Sequence, residues 1–258
     1  MPSNYSQPLN QPKNILILGG TIESRKLAEK LVDDPNFRVI TSLAGRTNLI
    51  LKIPGELRIG GFGGIQGLIE YLQRAQIDFL IDATHPFATQ ISHNAAIAAQ
   101  GLGIPHLVLV RKPWQRERED NWLEVEKMEE AAKIAFNYGK VLLTIGRQQL
   151  EYFAENPKSP NKITWFLIRS IEAPNIQILN SQILLERPPF SLESEKELLI
   201  KHQIEAIVSK NSGGTETYHK ILAARELRIP IIMVQRPVIA KVDQVETMDQ
   251  AIAWLNDS

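Results

Sequence analysis

Short, continuously apolar runs alternate with amphipathic stretches along nearly the whole chain, and that rhythm constrains the fold more than any other feature. The first run is Asn14–Leu18, followed by Gly19-Gly20-Thr21 and a helix-like segment. Phe37–Ala44, Leu57–Gly60, Asp78–Asp82 and His106–Val110 repeat the pattern, with helical periodicity from Gly67 and through Ile91–Gln100. Runs without strict in–out alternation are what a parallel sheet covered on both faces requires. Strand–helix–strand repetition at this spacing predicts a doubly wound α/β unit.

The rhythm resumes after the charged stretch Arg116–Asn121, which reads as a linker. Trp122–Val125, Lys140–Arg147, Lys162–Arg169, Ile176–Leu179, Glu205–Lys210 and Ile229–Val234 read as strands. Lys127–Gly139, Leu192–His202 and a closing Thr247–Leu255 read as helices. Ala98–Arg111 also aligns without gaps to Ala223–Arg236: a helix ends, Ile-Pro turns the chain, and an apolar strand delivers an arginine. Any helix-to-strand turn can look like this, but two related halves account better for the matching arginines and for Pro113 and Pro237 after them. The expected fold is two Rossmann-like parallel-sheet α/β domains with a cleft between them. Their expected extents are a flexible tail over 1–12, an N-terminal dinucleotide-binding domain over 13–115 and a C-terminal substrate domain over 116–258.

Composition removes several function classes. Lysine plus arginine and aspartate plus glutamate both number 29, so no net field favours a nucleic acid or membrane surface. Without cysteine there is no zinc–thiolate site, iron–sulfur cluster or thiol nucleophile. No His/Asp/Glu group has metal-ligand spacing, so no metal is expected. No apolar run approaches the ~20 residues that cross a bilayer, and the polar, Pro-rich start lacks a signal-peptide core. A cytoplasmic protein is the expectation; a monomer is compatible with it.

The candidate chemistry lies where strands run into helices. Gly19, Gly20 and Thr21, with Glu23 beyond, form the first such turn, where glycine admits a phosphate and the helix N-terminus supplies N–H donors. The spacing is not the dinucleotide fingerprint, so a plain tight turn is the other reading. An NAD site places a carboxylate at the end of the second strand; this chain has Ser42 and Arg46 there, which suits a 2′-phosphate and favours NADPH. A cation on a solvated loop is the alternative for Arg46. Gly60-Gly61-Phe62-Gly63-Gly64 is glycine-rich beyond the needs of a turn, which points to a ligand over Gly61, Phe62 and Gly63. Thr84 and His85 end the fourth strand, within expected reach of cofactor or substrate, and His85 is a candidate proton carrier.

In the second half, Lys210-Asn211-Ser212-Gly213-Gly214 makes an anion-binding loop that is not a Walker A sequence, because its lysine precedes the glycines. Arg111, Lys112, Arg147, Lys210 and Arg236 are expected to converge, which suits a substrate with several carboxylates. An epimerase of nucleotide sugars is disfavoured, since no tyrosine has lysine four residues on. A non-catalytic, NADPH-sensing module remains the alternative, but leaves the basic loop without a purpose.

Taken together, these motifs resemble the precorrin-6A reductase family of corrin-ring (cobalamin) biosynthesis. The resemblance rests on Gly19-Gly20-Thr21-x-Glu23, Ala44-Gly45-Arg46, Gly60–Gly64, Asp82–Ala88, Arg111-x-Pro113-Trp114, Thr144-x-Gly146-Arg147, Lys210–Gly214 and Arg236-Pro237. It covers nearly the whole chain beyond the tail; the N-terminal extension and the stretch Glu155–Lys162 depart from the pattern. It implies NADPH-dependent reduction of a ring double bond of precorrin-6A to precorrin-6B, with hydride to one ring carbon and a proton to its neighbour. A cobalt-containing branch of the pathway uses a close relative. Carried onto this chain, Gly19, Gly20 and Thr21 would hold the pyrophosphate, and Ser42 and Arg46 the 2′-phosphate. Arg147, Lys210, Asn211, Ser212 and Arg236, with Arg111, Gly213 and His85, would face the carboxylated tetrapyrrole.

Overall fold

A computed structural model describes residues 11–45, 53–154, 163–237 and 242–257. The tail expected over 1–12 lies outside the described residues apart from its last two. Lys13–Leu18 forms β1, and its successive side chains point to opposite faces of the sheet. Ile15 and Ile17 enter one apolar layer, with Leu27 and Leu31, while Leu16 and Leu18 enter the other, with Leu68, Leu72 and Ala95. That two-sided burial is why the strand reads as an unbroken apolar run.

Five more parallel strands complete this sheet: β2 (Phe37–Leu43), β3 (Glu56–Ile59), β4 (Phe79–Asp82), β5 (His106–Leu109) and β12 (Asp243–Val245). Their spatial order is β12-β5-β4-β1-β2-β3, the order of a dinucleotide-binding sheet, whose ligand crevice lies where the order reverses beside the first strand. Helices α1 (Ile22–Leu31), α2 (Gly64–Arg74) and α3 (Thr89–Leu102) connect the strands, and α7 (Met248–Asp257) follows β12.

The second sheet holds β6 (Trp122–Val125), β7 (Lys140–Leu143), β8 (Trp165–Ser170), β9 (Ser181–Leu185), β10 (Ala206–Lys210) and β11 (Ile231–Val234). It is also parallel throughout, in the order β6-β11-β10-β7-β8-β9. Counted outward from β7 as from β1, the two orders are the same. Helices α4 (Met128–Ala135), α5 (Leu192–Lys201) and α6 (His219–Glu226) belong here. A 3₁₀ segment, Arg147–Phe153, stands where the other half has its first α-helix.

The two compact units are 1–111 with 238–258, and 112–237. The second half was expected to run to 258, but the chain returns. The segment after β5 (β6 and α4) supplies the sixth strand of the second sheet, and the segment after β11 (β12 and α7) supplies that of the first. The two segments match in sequence, Val125-Glu126-Lys127-Met128 against Val245-Glu246-Thr247-Met248. Both begin alike: Gln235 N–H donates to Val125 O and Val110 N–H to Val245 O, at 2.8 and 2.9 Å. Glu126 N–H then caps on the Glu130 carboxylate as Glu246 N–H does on the Gln250 amide.

Two further expectations change. Arg116–Asn121 is no linker, because buried Asp120 pairs with Arg225 at 2.8 Å and Glu117 reaches the same guanidinium at 2.9 Å. The strand expected at Ile176–Leu179 forms instead at Ser181–Leu185, beyond a turn in which Asn180 adopts a left-handed φ of 55° and Ser181 Oγ donates to Ile178 O.

Candidate active site

At the carboxyl end of β1, the turn is built by two small side chains. Thr21 caps α1: its Oγ1 accepts from Ser24 N–H at 3.1 Å and donates to Ala83 O at 2.7 Å, tying the turn to the end of β4. Ser24 Oγ accepts from the N–H groups of Gly20 and Thr21, both at 3.2 Å. A helix leaves its first N–H groups without intrahelical acceptors. Ser24 N–H is satisfied by the cap, whereas those of Ile22 and Glu23 meet no acceptor among the described residues. Gly20 has φ +113°, and a Cβ there would meet nothing within 4 Å; at Gly19 one would press on Thr41 and Ser24 at 3.1–3.2 Å. Thus Gly19 lets helix and strand pack closely, and Gly20 leaves open space over two free donors.

Around this turn, Thr21, Glu23, Thr84, Pro86, Val110 and Arg111 line a shallow depression. Arg111, at the end of β5, pairs with Glu23 at 3.1 Å. Buried Asp82 accepts from both the N–H and the hydroxyl of Thr84, at 3.0 and 2.7 Å, so it holds the loop after β4. His85, next along, is exposed; its Nδ1 accepts from Phe87 N–H at 3.3 Å.

The ends of β2 and β3 carry a second group. Ser42 and Arg58 are register partners, and Arg58 Nη1 donates to Ser42 Oγ at 3.1 Å. The same guanidinium donates to Gly60 O (2.6 Å) and Gly61 O (2.8 Å) and lies 3.7 Å over the Phe62 ring. Burial is the main influence on Arg58 and lowers its pKa from the ordinary value. Gly60, Gly63 and Gly64 have positive φ, which glycine tolerates. Gly61 does not, and a Cβ there would touch nothing, so neither backbone nor packing demands its missing side chain. Arg46 lies outside the described residues.

In the second unit, the loop after β10 is knotted. Asn211, almost wholly buried, accepts from Trp114 N–H at 2.8 Å and donates to Trp114 O at 3.1 Å, and Trp114 Nε1 donates to Gly214 O at 2.7 Å. Arg236 donates to the carbonyls of Asn211 (2.8 Å) and Ser212 (2.9 Å). Gly213 (φ +68°) has no room for a side chain, since a Cβ would run into Lys112 O. Asn211, Gly213 and Arg236 therefore build the loop, and Trp114 clamps it. Lys210 is half-buried at the end of β10, and burial pulls its ammonium down to about 8. Arg147, before the 3₁₀ segment, pairs with Glu172 at 3.2 Å.

Each unit thus gathers its own candidates at the carboxyl edge of its sheet. Sequence reasoning missed Arg58 and the clamp by Trp114. Glycine turns and basic side chains at the strand ends of a dinucleotide-type sheet narrow the possibilities without naming a family, and the comparisons with known proteins decide it. Residues 14–256 match the family model described as "Precorrin-6x reductase CbiJ/CobK". The chain belongs to the precorrin-6x reductase family. A precorrin-6A reductase from Rhodococcus erythropolis is 42% identical over 244 residues, 93% of this chain and 96% of its own. A cobalt-precorrin-6A reductase from Methanocaldococcus jannaschii is 27% identical over 252 residues, 94% of this chain and 98% of its own. The solved structure of a CobK precorrin-6A reductase, 35% identical, superposes with a TM-score of 0.86 over 95% of this chain and 96% of that one. As a member of the precorrin-6x reductase family the chain is an oxidoreductase of cobalamin biosynthesis, with the two-sheet architecture of that relative. No helix among the described residues is long and apolar enough to cross a membrane.

Proposed function

We propose that this reductase uses NADPH to reduce a ring double bond of precorrin-6A, giving precorrin-6B, in the cytoplasm. The observation that carries the cofactor half is the β1–α1 turn: two unpaired N–H donors and an open glycine at the reversal point of the strand order. This donor set fits a dinucleotide pyrophosphate. The Glu23 carboxylate would repel it were it not paired with Arg111, so Glu23 acts there by holding the cation. Ser42 and Arg46 are assigned to the 2′-phosphate, and Gly61, Phe62, Gly63 and Thr84 to the walls of the site. Bound NADPH supplies the hydride; the chain supplies position and electrostatics.

The tetrapyrrole carboxylates are assigned to Lys210, Ser212 and Arg147, with Arg111 at the same edge of the first unit. Asn211, Gly213 and Arg236 act by shaping the loop that presents Lys210 and Ser212. His85, exposed beside Thr84, is proposed to face the substrate, with solvent as the other source of the proton. The metal-free substrate is preferred because the precorrin-6A reductases are 36–42% identical to this chain and the cobalt-precorrin-6A reductases 26–27%.

The test is oxidation of NADPH, followed at 340 nm, with precorrin-6A and with cobalt-precorrin-6A in separate reactions. Faster turnover of the metal-free ring is expected, and no oxidation with either would overturn the reading. A pH effect follows from Lys210. Its ammonium is fully charged below pH 7 and loses its proton as pH rises through about 8. Substrate affinity is therefore expected to fall between pH 7 and 9, and Lys210→Ala to bind more weakly with that fall removed. An unchanged pH profile in the variant would refute the assignment.

A further inference from the structure

We infer that Arg58 is the residue that selects a phosphorylated ribose, receiving the 2′-phosphate of NADPH together with Ser42. This rests on the NADPH reading above and adds a residue to it. In sheets of this order the end of β2 faces the adenosine ribose, and the group placed there decides between a 2′-hydroxyl and a 2′-phosphate. Here that position is Ser42, only 5% exposed, and the guanidinium bonded to it comes from the neighbouring strand.

The guanidinium is held but not neutralised. Arg38, Arg111, Arg147 and Arg225 each meet a carboxylate, whereas none among the described residues lies within ion-pair distance of Arg58. Its neighbours are two backbone carbonyls, one hydroxyl and the faces of two aromatic rings, Phe62 at 3.7 Å and Tyr71 at 5.0 Å. Three of the five N–H donors of an arginine are thereby used, which leaves two, on Nε and Nη2, for an incoming anion. Ser42 Oγ accepts from Arg58 and keeps its own proton to donate. A phosphate dianion needs such a set: a fixed planar cation offering paired donors, with a hydroxyl beside it. Gly61, whose carbonyl helps to fix the cation, leaves the approach clear of side chains. Phe62 beneath the guanidinium keeps the cation from folding away and adds a cation–π contact.

The same contacts would also serve a purely structural arginine that pins the Gly60-Gly61 turn, and the test separates the two. Binding of NADPH and NADH is measured by calorimetry for the wild type, Arg58→Gln and Arg58→Lys. Competition by 2′,5′-ADP against 5′-AMP isolates the phosphate. Circular dichroism melting confirms that each variant is folded. Because charge-assisted hydrogen bonds contribute about 1.5–3 kcal/mol, Arg58→Gln is expected to bind NADPH and 2′,5′-ADP about 10- to 100-fold more weakly. Its NADH and 5′-AMP affinities should stay within about threefold. Arg58→Lys should keep most of the preference. Equal loss for both cofactors would make Arg58 structural and overturn the inference. Arg58→Gln keeping the full preference would overturn it too, and leave the phosphate to Arg46. If the wild type itself binds NADH as tightly as NADPH, the NADPH reading fails and the inference falls with it.

Discussion

Replacing Glu195 with alanine is expected to destabilise the second unit by about 3–5 kcal/mol, the usual cost of removing one partner from a buried ion pair. Glu195 sits fully buried in the first turn of α5 and accepts from Arg169 Nη1 at 2.7 Å; Arg169 is itself only 8% exposed. Without Glu195 the guanidinium would keep Glu186 at 3.3 Å and the Phe190 ring at 4.2 Å. Glu186 is itself well exposed and cannot replace a buried counter-charge. The stability of a domain is about 5–15 kcal/mol in total, so the loss is a large fraction of it. Urea unfolding followed by circular dichroism measures it. The paired change Arg169→Met with Glu195→Leu, which removes both charges, should recover most of the loss. Equal destabilisation by the single and paired changes would show that packing rather than charge carries the effect.

The second large effect is functional. Gly61→Val is expected to leave the unfolding midpoint nearly unchanged and to weaken NADPH binding by about two orders of magnitude or more. The stability half follows because Gly61 needs no positive φ and a Cβ there meets open space. The binding half follows because two branches of a valine would stand where the adenosine end has to approach Ser42. Each charge-assisted bond lost contributes about 1.5–3 kcal/mol. Calorimetric titration with NADPH, beside a thermal melt, reads both. Unimpaired binding would remove the Gly60–Gly64 loop from the cofactor site. A collapsed melting temperature would instead give Gly61 a packing role.

Much of this fold could be read from the residues because parallel, doubly covered strands leave unbroken apolar runs such as Ile15–Leu18 and Ile231–Val234. What escaped lacks that signature. The strand Asp243–Val245 is three residues long, two of them exposed and polar, so no periodicity can develop. Its exchange with β6 left a trace, the Val-Glu-x-Met echo before α4 and α7, but an echo does not say which sheet a strand joins. Ile176–Leu179 alternates like a strand, yet the pairing with β8 starts only after the left-handed turn at Asn180.

The β1–α1 turn was legible as a feature of the strand-to-helix junction, because its glycines and capping threonine stand next to each other in sequence. The second unit was less so. Asn211 and Arg236 look like ligand groups in sequence because a loop-tying side chain and a ligand-binding one need the same donors; only their partners tell them apart. Arg58 was hidden by its strand. It lies two residues before Gly60 in a run that reads as β3, and only the β2–β3 register brings it to Ser42.

The central claim is hydride delivery from a nicotinamide cofactor to the corrinoid ring. Its most direct test is an anaerobic reaction of the purified protein with precorrin-6A and NADPH carrying deuterium at the transferable position, followed by mass spectrometry of the tetrapyrrole. One deuterium in the reduced product, matched by one NADPH oxidised, is the predicted result. A product reduced without deuterium from either face-labelled cofactor, or an unreduced ring beside intact NADPH, would contradict it.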